Sequence, residues 1–464
     1  MMVDVNETTR QAVIGWDLSR VVFRDLERDY PVVERGEGIY LFDTKGRKYI
    51  DGSGGSSVVT SIGHGNKRVA AVMAKQAETI AFSPAHCFAN QPHIELCQKI
   101  AEIAPRGMGH TFLLSGGSEA TENALKFARQ YEFVRNNRGK YTVIGRWQGF
   151  HGNTFGSMTV SGITYRRQIY GPMMGHSVKI PPCYCYRCEW GLTYGNCNLE
   201  CARALKKVIR QEGRENVLAF IAEPVVGAAL GAVPAVPEYF PLIREICDEF
   251  DVVFIADEVM TGFGRTGANF GVDHWKVTPE IIATAKGISG GYTPLAAVLL
   301  RDTIIDTLRA HHSNFRGGHT YCGNPLSARV GLEVLAIIRE QNLIENSRRM
   351  GLRLLDGLRK LLDHPTVGDV RGKGLMAGVE FVRNKQTKEP FPVEYQFGKR
   401  IFEEAFARGL VVFAGSGSVD GVAGDHILLA PPLIITESQV DDFLAILDEA
   451  IGVVEKALPA ELRG

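Results

Sequence analysis

Val252 to Gly267 reads VVFIADEVMTGFGRTG, and Ile281 to Gly291 reads IIATAKGISGG. β-Branched and aromatic residues dominate the first five positions, which predicts a strand over Val252–Ala256 buried on both faces. That strand delivers Asp257 and Glu258 at its end. An ionised carboxylate there is stable only if a cation or hydrogen-bond donor meets it; a protonated pyridine nitrogen would serve, and so would an ordinary salt bridge or helix cap. In the second stretch Lys286 stands alone between an apolar run and a glycine cluster. Desolvation lowers an amine's pKa and makes it nucleophilic, although a lysine whose head reaches solvent fits the same pattern. Gly262, Gly264 and Gly267 spell G-x-G-x-x-G, but the motif follows Asp-Glu instead of leaving a strand, and no clean amphipathic helix follows it. A dinucleotide site is therefore not expected.

Outward from this centre, short apolar runs at Tyr141–Gly145 and Ala219–Ala222 alternate with amphipathic stretches, the pattern of α/β layers. Ser115-Gly116-Gly117-Ser118-Glu119-Ala120 opens a helix pattern continued by Ala124, Phe127, Ala128, Tyr131 and Val134, with Ser118 as the expected cap. Glycines before a helix start let the backbone approach an anion, so the segment is a candidate phosphate cup, or simply a structural turn. Near the other end Thr436 and Gln439 form a capping box ahead of Val440, Phe443, Leu444, Leu447 and Ile451.

The 464 residues carry 52 basic and 52 acidic side chains with 45% hydrophobic content. That balance supplies no global field for nucleic acid or an anionic membrane surface, and makes a small molecule the default ligand. The first twenty residues have scattered charges and no apolar segment, so no secretory signal is expected and the cytoplasm is the expected compartment. The Gly- and Pro-rich run from Pro224 to Pro237 is too short to span a membrane.

Together the segments Asp257-Glu258-Val259, Gly262 through Gly267 and Lys286-Gly287 resemble the class III, fold type I aminotransferases, over the chain from about residue 35 onward. The resemblance implies an α/β fold: a large domain with a mainly parallel seven-stranded sheet (residues 66–330) and a small α+β domain from both chain ends (1–65 and 331–464). It implies pyridoxal 5′-phosphate as cofactor, Lys286 as its covalent anchor and proton shuttle, and Asp257 as partner of the pyridinium nitrogen. Gly116, Gly117 and Ser118 would bind the phosphate. Thr320, in Gly318-His319-Thr320, and the loop Ala81 to Pro92 would serve the other subunit of a homodimer, which two-fold pairing could extend to a tetramer. Phe150-His151-Gly152 matches the aromatic-His-Gly of the family, with Phe150 stacked on the cofactor, Val259 beneath it and His151 in a structural part. Glu223, in Ala222-Glu223-Pro224-Val225, matches an acid near the substrate side.

The chain also departs from the relatives it resembles. Met260 stands where ornithine- and 4-aminobutyrate-type enzymes carry Gln, and a thioether cannot replace the amide donor. His426 to Leu433 lacks the Arg that often precedes the C-terminal Pro motif, and Phe413 to Asp425 (FAGSGSVDGVAGD) lacks the mobile Arg of some amine:pyruvate enzymes. Arg301, Arg316 and Arg265 are candidate carboxylate partners. An amine or ω-amino-acid donor with pyruvate as the 2-oxo acid acceptor follows, since a dicarboxylate needs a second charge partner. Same-fold lyases and racemases are rival readings.

Cys183, Cys185, Cys188, Cys197 and Cys201 cluster in a chain with nine cysteines. Cys185, Cys188, Cys197 and Cys201 have a metal-like C-x-x-C and C-x-x-x-C arrangement, but the gap between the pairs is short for a zinc ribbon. A structural metal, a disulfide and unligated thiols in a surface insertion all remain open; no metal is expected in the reaction. A non-catalytic metal- or partner-binding protein using this insertion is the rival of another class, opposed by intact Lys286 and Asp257.

Overall fold

A computed structural model describes residues 18–463. The expectation that the first twenty residues form no secretory signal falls outside the described residues except for Leu18–Arg20. At the centre is a seven-stranded sheet whose strands, in chain order, are β1 (His110–Leu114), β2 (Thr142–Arg146), β3 (Val178–Ile180), β4 (Val217–Ala222), β5 (Val253–Asp257), β6 (Ile281–Thr284) and β7 (Ala296–Leu300). Their order across the sheet is β1-β7-β6-β5-β4-β2-β3. All neighbours run parallel except that β7 lies antiparallel to both β6 and β1. This is the expected mainly parallel sheet.

The physical cause is visible in β4 through β7, where every residue is buried. A strand buried on both faces needs helices above and below, and parallel neighbours need crossovers that place them there. One apolar layer joins β5 to the helix Gly117–Val134 (α1) through Ala120, Ala124, Phe127 and Ala128. The opposite layer packs Phe220 and Phe254 against Tyr239, Phe240 and Ile243 of the helix Tyr239–Phe250.

Two smaller sheets complete the architecture. Val33–Glu37, Tyr40–Asp43 and Lys48–Asp51 form an antiparallel meander that Leu410–Val411 extends in parallel, so the two ends of the chain share one sheet. Val367–Gly372, Ala377–Phe381, Asp425–Leu429 and Phe413–Ser416 make a second antiparallel sheet. The helix Glu437–Lys456 begins at the expected capping box: Thr436 donates its backbone N–H to Gln439 Oε1 at 3.0 Å. No helix of the described residues is long and apolar enough to cross a membrane.

Candidate active site

The C-terminal ends of parallel strands, where backbone groups leave the ladder, are where α/β sheets place ligands. Asp257 closes β5 opposite Ala283 of β6, and Lys286 follows two residues after β6 ends. Register alone therefore brings the carboxylate and the amine to one edge of the sheet. Lys286 adopts a left-handed backbone with φ +50°, a conformation that a side chain with a Cβ occupies at a cost of about 1–2 kcal/mol. Such strain persists where the surroundings over-determine it, and it concentrates at functional sites. Among the described residues its amine makes neither a hydrogen bond nor an ion pair. Burial pushes that amine down to about 8, against the opposing fields of Asp257 and Glu223 and with the help of Arg166.

Asp257 is fixed from two sides. Its Oδ1 accepts the backbone N–H of Val259 at 3.0 Å, and its Oδ2 shares a 2.7 Å hydrogen bond with His151 Nδ1. His151 is buried, and its Nε2 finds no partner among the described residues. The loop that carries it is held by Ser161 Oγ, which accepts the His151 N–H at 2.8 Å, and by Thr121 Oγ1, which donates to the His151 carbonyl at 2.7 Å. Gly152 then passes so close to α1 that a Cβ would sit 2.7 Å from Ser118 Oγ, with φ at +141°. Only glycine fits there.

At the start of α1 the structure corrects the expected cap. Gly116 is the N-cap and Ser118 lies inside the first turn, where its Oγ accepts the Asn153 N–H at 2.9 Å. The Ser118 hydroxyl is thus taken by a neighbouring loop instead of capping; a Cβ on Gly116 would meet nothing within 4 Å, leaving open space above the helix end, whereas a Cβ on Gly117 would press to 3.0 Å from Val259 Cγ1. The Gly117 and Ser118 N–H groups have no acceptor among the described residues, and a free helix terminus beside Val259 is suited to an anion.

Glu223 and Glu258 prove to be fasteners. Glu223 Oε1 accepts the Phe150 N–H at 3.0 Å and Oε2 accepts the Gly227 N–H at 2.8 Å, so it ties the Phe150 loop to the segment bearing Ala228. Burial raises its pKa. Glu258 accepts from Thr261 Oγ1 and from the Gly271 and Val272 N–H groups, closing the glycine turn on itself, and burial pushes it up to about 7. That turn opens no helix for a dinucleotide. Met260 fills the space above Gly227, where a Cβ would come 2.2 Å from its sulfur.

The three arginines singled out as carboxylate partners are engaged or face elsewhere. Arg265 is buried and donates to the carbonyls of Leu375 and Pro431. Arg301 pairs with Glu280 at 2.8 Å, and Arg316 lines a different cavity with Phe133 and Phe155. The sequence reading overlooked Arg166, whose guanidinium lies 4.6 Å from the centre of the Phe150 ring. Its only signal was the Tyr165-Arg166-Arg167 run shortly after the aromatic-His-Gly loop. Thr320 is exposed on a turn; the neighbouring His319 contacts Asn123 of α1 at 2.8 Å. All nine cysteines are free thiols. Among the described residues no three His, Cys, Asp or Glu side chains are arranged to hold a metal ion.

Comparison with known proteins agrees with this geometry. Residues 25–451 match the family model for class III aminotransferases. An uncharacterized aminotransferase, YodT, of Bacillus subtilis is 35% identical over 95% of this chain and 99% of its own length. A putrescine–pyruvate aminotransferase of Pseudomonas aeruginosa is 35% identical over 94% and 93%. Among solved structures, a transaminase from the marine bacterium Virgibacillus superposes with a TM-score of 0.87 at 37% identity, covering 93% of this chain and 94% of that one. An (S)-enantioselective omega-transaminase from Thermomicrobium roseum gives 0.86 at 35% identity, covering 92% and 93%. With the sheet order, the strand-end Asp257 and the strained Lys286 on one edge, these matches establish that the chain belongs to the class III aminotransferases and is an enzyme, a transaminase of fold type I.

Proposed function

We propose that the protein is a pyridoxal-phosphate-dependent aminotransferase that moves an amino group from an amine or ω-amino acid to a 2-oxo acid, pyruvate, in two alternating half-reactions. The observation that carries this reading is the pair at the sheet edge, Lys286 with its depressed amine and Asp257 locked by His151 and Val259. The surroundings fit the cofactor: an unpartnered helix terminus at Gly117 and Ser118 suits a phosphate, and open space lies above Gly116. Bound there, pyridoxal phosphate supplies an electron sink for the carbanion left when a proton leaves the amine-bearing carbon.

The chain's own groups do the rest. Lys286 Nζ is the anchor and general base, since an amine near pKa 8 is partly neutral at working pH and can take and return a proton. Asp257 would face a ring N–H, and the His151 hydrogen bond fixes its orientation. Phe150 and Val259 would hold the cofactor ring between them, and Glu223 fixes the Phe150 loop by accepting the Phe150 N–H. Met260 offers no donor in place of an amide. The Pseudomonas relative named for putrescine and pyruvate supports the same donor and acceptor classes.

The assembly in this reading is a cytoplasmic homodimer, in which Thr320 and the loop from Ala81 to Pro92 reach the partner copy's cofactor. The chain divides into residues 66–330, which carry the cofactor, and a small domain from 1–65 and 331–464. Titrating amine-loaded holoenzyme with pyruvate and with 2-oxoglutarate tests the acceptor: pyruvate should discharge it faster, and a strong preference for 2-oxoglutarate would overturn the assignment.

A further inference from the structure

Beside the Phe150 loop lies a cavity of about 270 Å³. Its wall includes Ile163, Arg166, Ala228, Ala229, Phe413 and Ser416. Two other charged side chains border it. Lys399 is 3.7 Å from Asp25, and Asp425 accepts from the backbone of Gly398 and Phe397. Arg166 is different. Among the described residues it forms no ion pair; its Nε donates to Tyr165 Oη at 2.9 Å, and its two Nη atoms make no hydrogen bond. Its guanidinium is cushioned by the rings of Phe150 at 4.6 Å and Tyr165 at 5.5 Å.

A guanidinium with both terminal nitrogens uncommitted, resting on aromatic faces at the rim of a small cavity, presents a fork for one carboxylate. It is also near the chemistry. Phe150 is fastened through Glu223 to Gly227, whose neighbour Ala228 lines the cavity, and the field of Arg166 reaches the Lys286 amine. The other polar side chains on the wall, Tyr165, Gln396 and Ser416, are uncharged and Lys399 already faces Asp25, so a second carboxylate would meet Asp425 without an unpaired cation to offset it.

Resting on the transaminase reading with pyruvate as acceptor, we infer that Arg166 is the residue that binds the acceptor's carboxylate, selecting small 2-oxo monocarboxylates. This also accounts for a site that manages without an arginine in Phe413 to Asp425. The residue determines specificity and takes no part in proton transfer.

The test loads full-length apoprotein with pyridoxamine 5′-phosphate, bypassing any amine donor, and measures single-turnover reaction with pyruvate and with butyraldehyde, which has no carboxylate. In Arg166→Gln the ratio of pyruvate to butyraldehyde reactivity should fall about 30-fold, mainly through weaker pyruvate saturation, and Arg166→Lys should recover part of it. A ratio within about twofold of wild type, or a parallel loss with both acceptors as expected for an arginine that merely props Phe150, would overturn the inference. Wild-type protein that pyruvate fails to discharge would instead overturn the acceptor reading, and this inference with it.

Discussion

The floor of the site, at the ends of β5 and β6, and its wall, where Arg166 meets Phe413 to Ser416, are made of different structure. Floor groups are positioned by sheet register and locked by short-range bonds: Asp257 sits opposite Ala283, accepts from Val259 and shares a 2.7 Å bond with His151. Wall groups ride on the five-residue helix Thr164–Gln168 and on an edge strand, and Arg166 has one conventional hydrogen bond. In the proposed reading, chemistry that must not move is carried by the buried sheet, while selectivity is carried by connections that tolerate change.

The two parts should therefore break differently. The largest effect is expected from Lys286→Ala, which removes anchor and base together; both half-reactions should fall by at least about 10³-fold in single-turnover assays, with folding retained by circular dichroism. Asp257→Asn keeps the shape but removes the charge that Lys286 and a ring N–H sense, and should lower the rate of either half-reaction about 10²-fold. Equal losses with every substrate would mark both as floor residues, in contrast to the acceptor-selective loss expected at Arg166.

A pH experiment sharpens the floor further. Burial depresses the Lys286 amine to about 8, so it is protonated below that pH and neutral above it. Uptake of pyridoxal phosphate by apoprotein, followed by stopped-flow absorbance, should rise from pH 7 to 9 and then level off. A rate still climbing toward pH 10 would mean that the amine behaves as an ordinary exposed lysine. The smallest effect is expected away from both regions: Cys185 is an exposed free thiol, and Cys185→Ser should change stability by less than about 0.5 kcal/mol by urea unfolding and leave turnover unaltered.

Legibility in the sequence follows the same division. The strand ending in Asp257 could be read to within one residue because its apolar run has no other stable placement than a doubly covered sheet interior. Lys286 and the glycine turn were readable because each sits in a contiguous motif. The cap at Gly116 was misplaced to Ser118, since a capping side chain and a serine that catches a neighbouring loop look alike in one dimension. Arg166 was missed for a deeper reason: its candidacy comes from tertiary juxtaposition with the Phe150 ring and with the strand Phe413–Ser416, the latter far away in sequence. Arg265 and Arg301 looked available only because the carbonyls and the carboxylate that engage them are also distant.

In the proposed reaction one lysine and one locked carboxylate at the sheet edge run a reversible amino transfer. Absorbance of the purified protein with pyridoxal phosphate, recorded before and after adding an amine donor such as β-alanine or 1-phenylethylamine and then pyruvate, addresses it most directly. A lysine-dependent visible band should appear, be lost with the amine, return with pyruvate and be missing in Lys286→Ala. A wild-type protein that binds no cofactor, or a band that persists unchanged in Lys286→Ala, would contradict it.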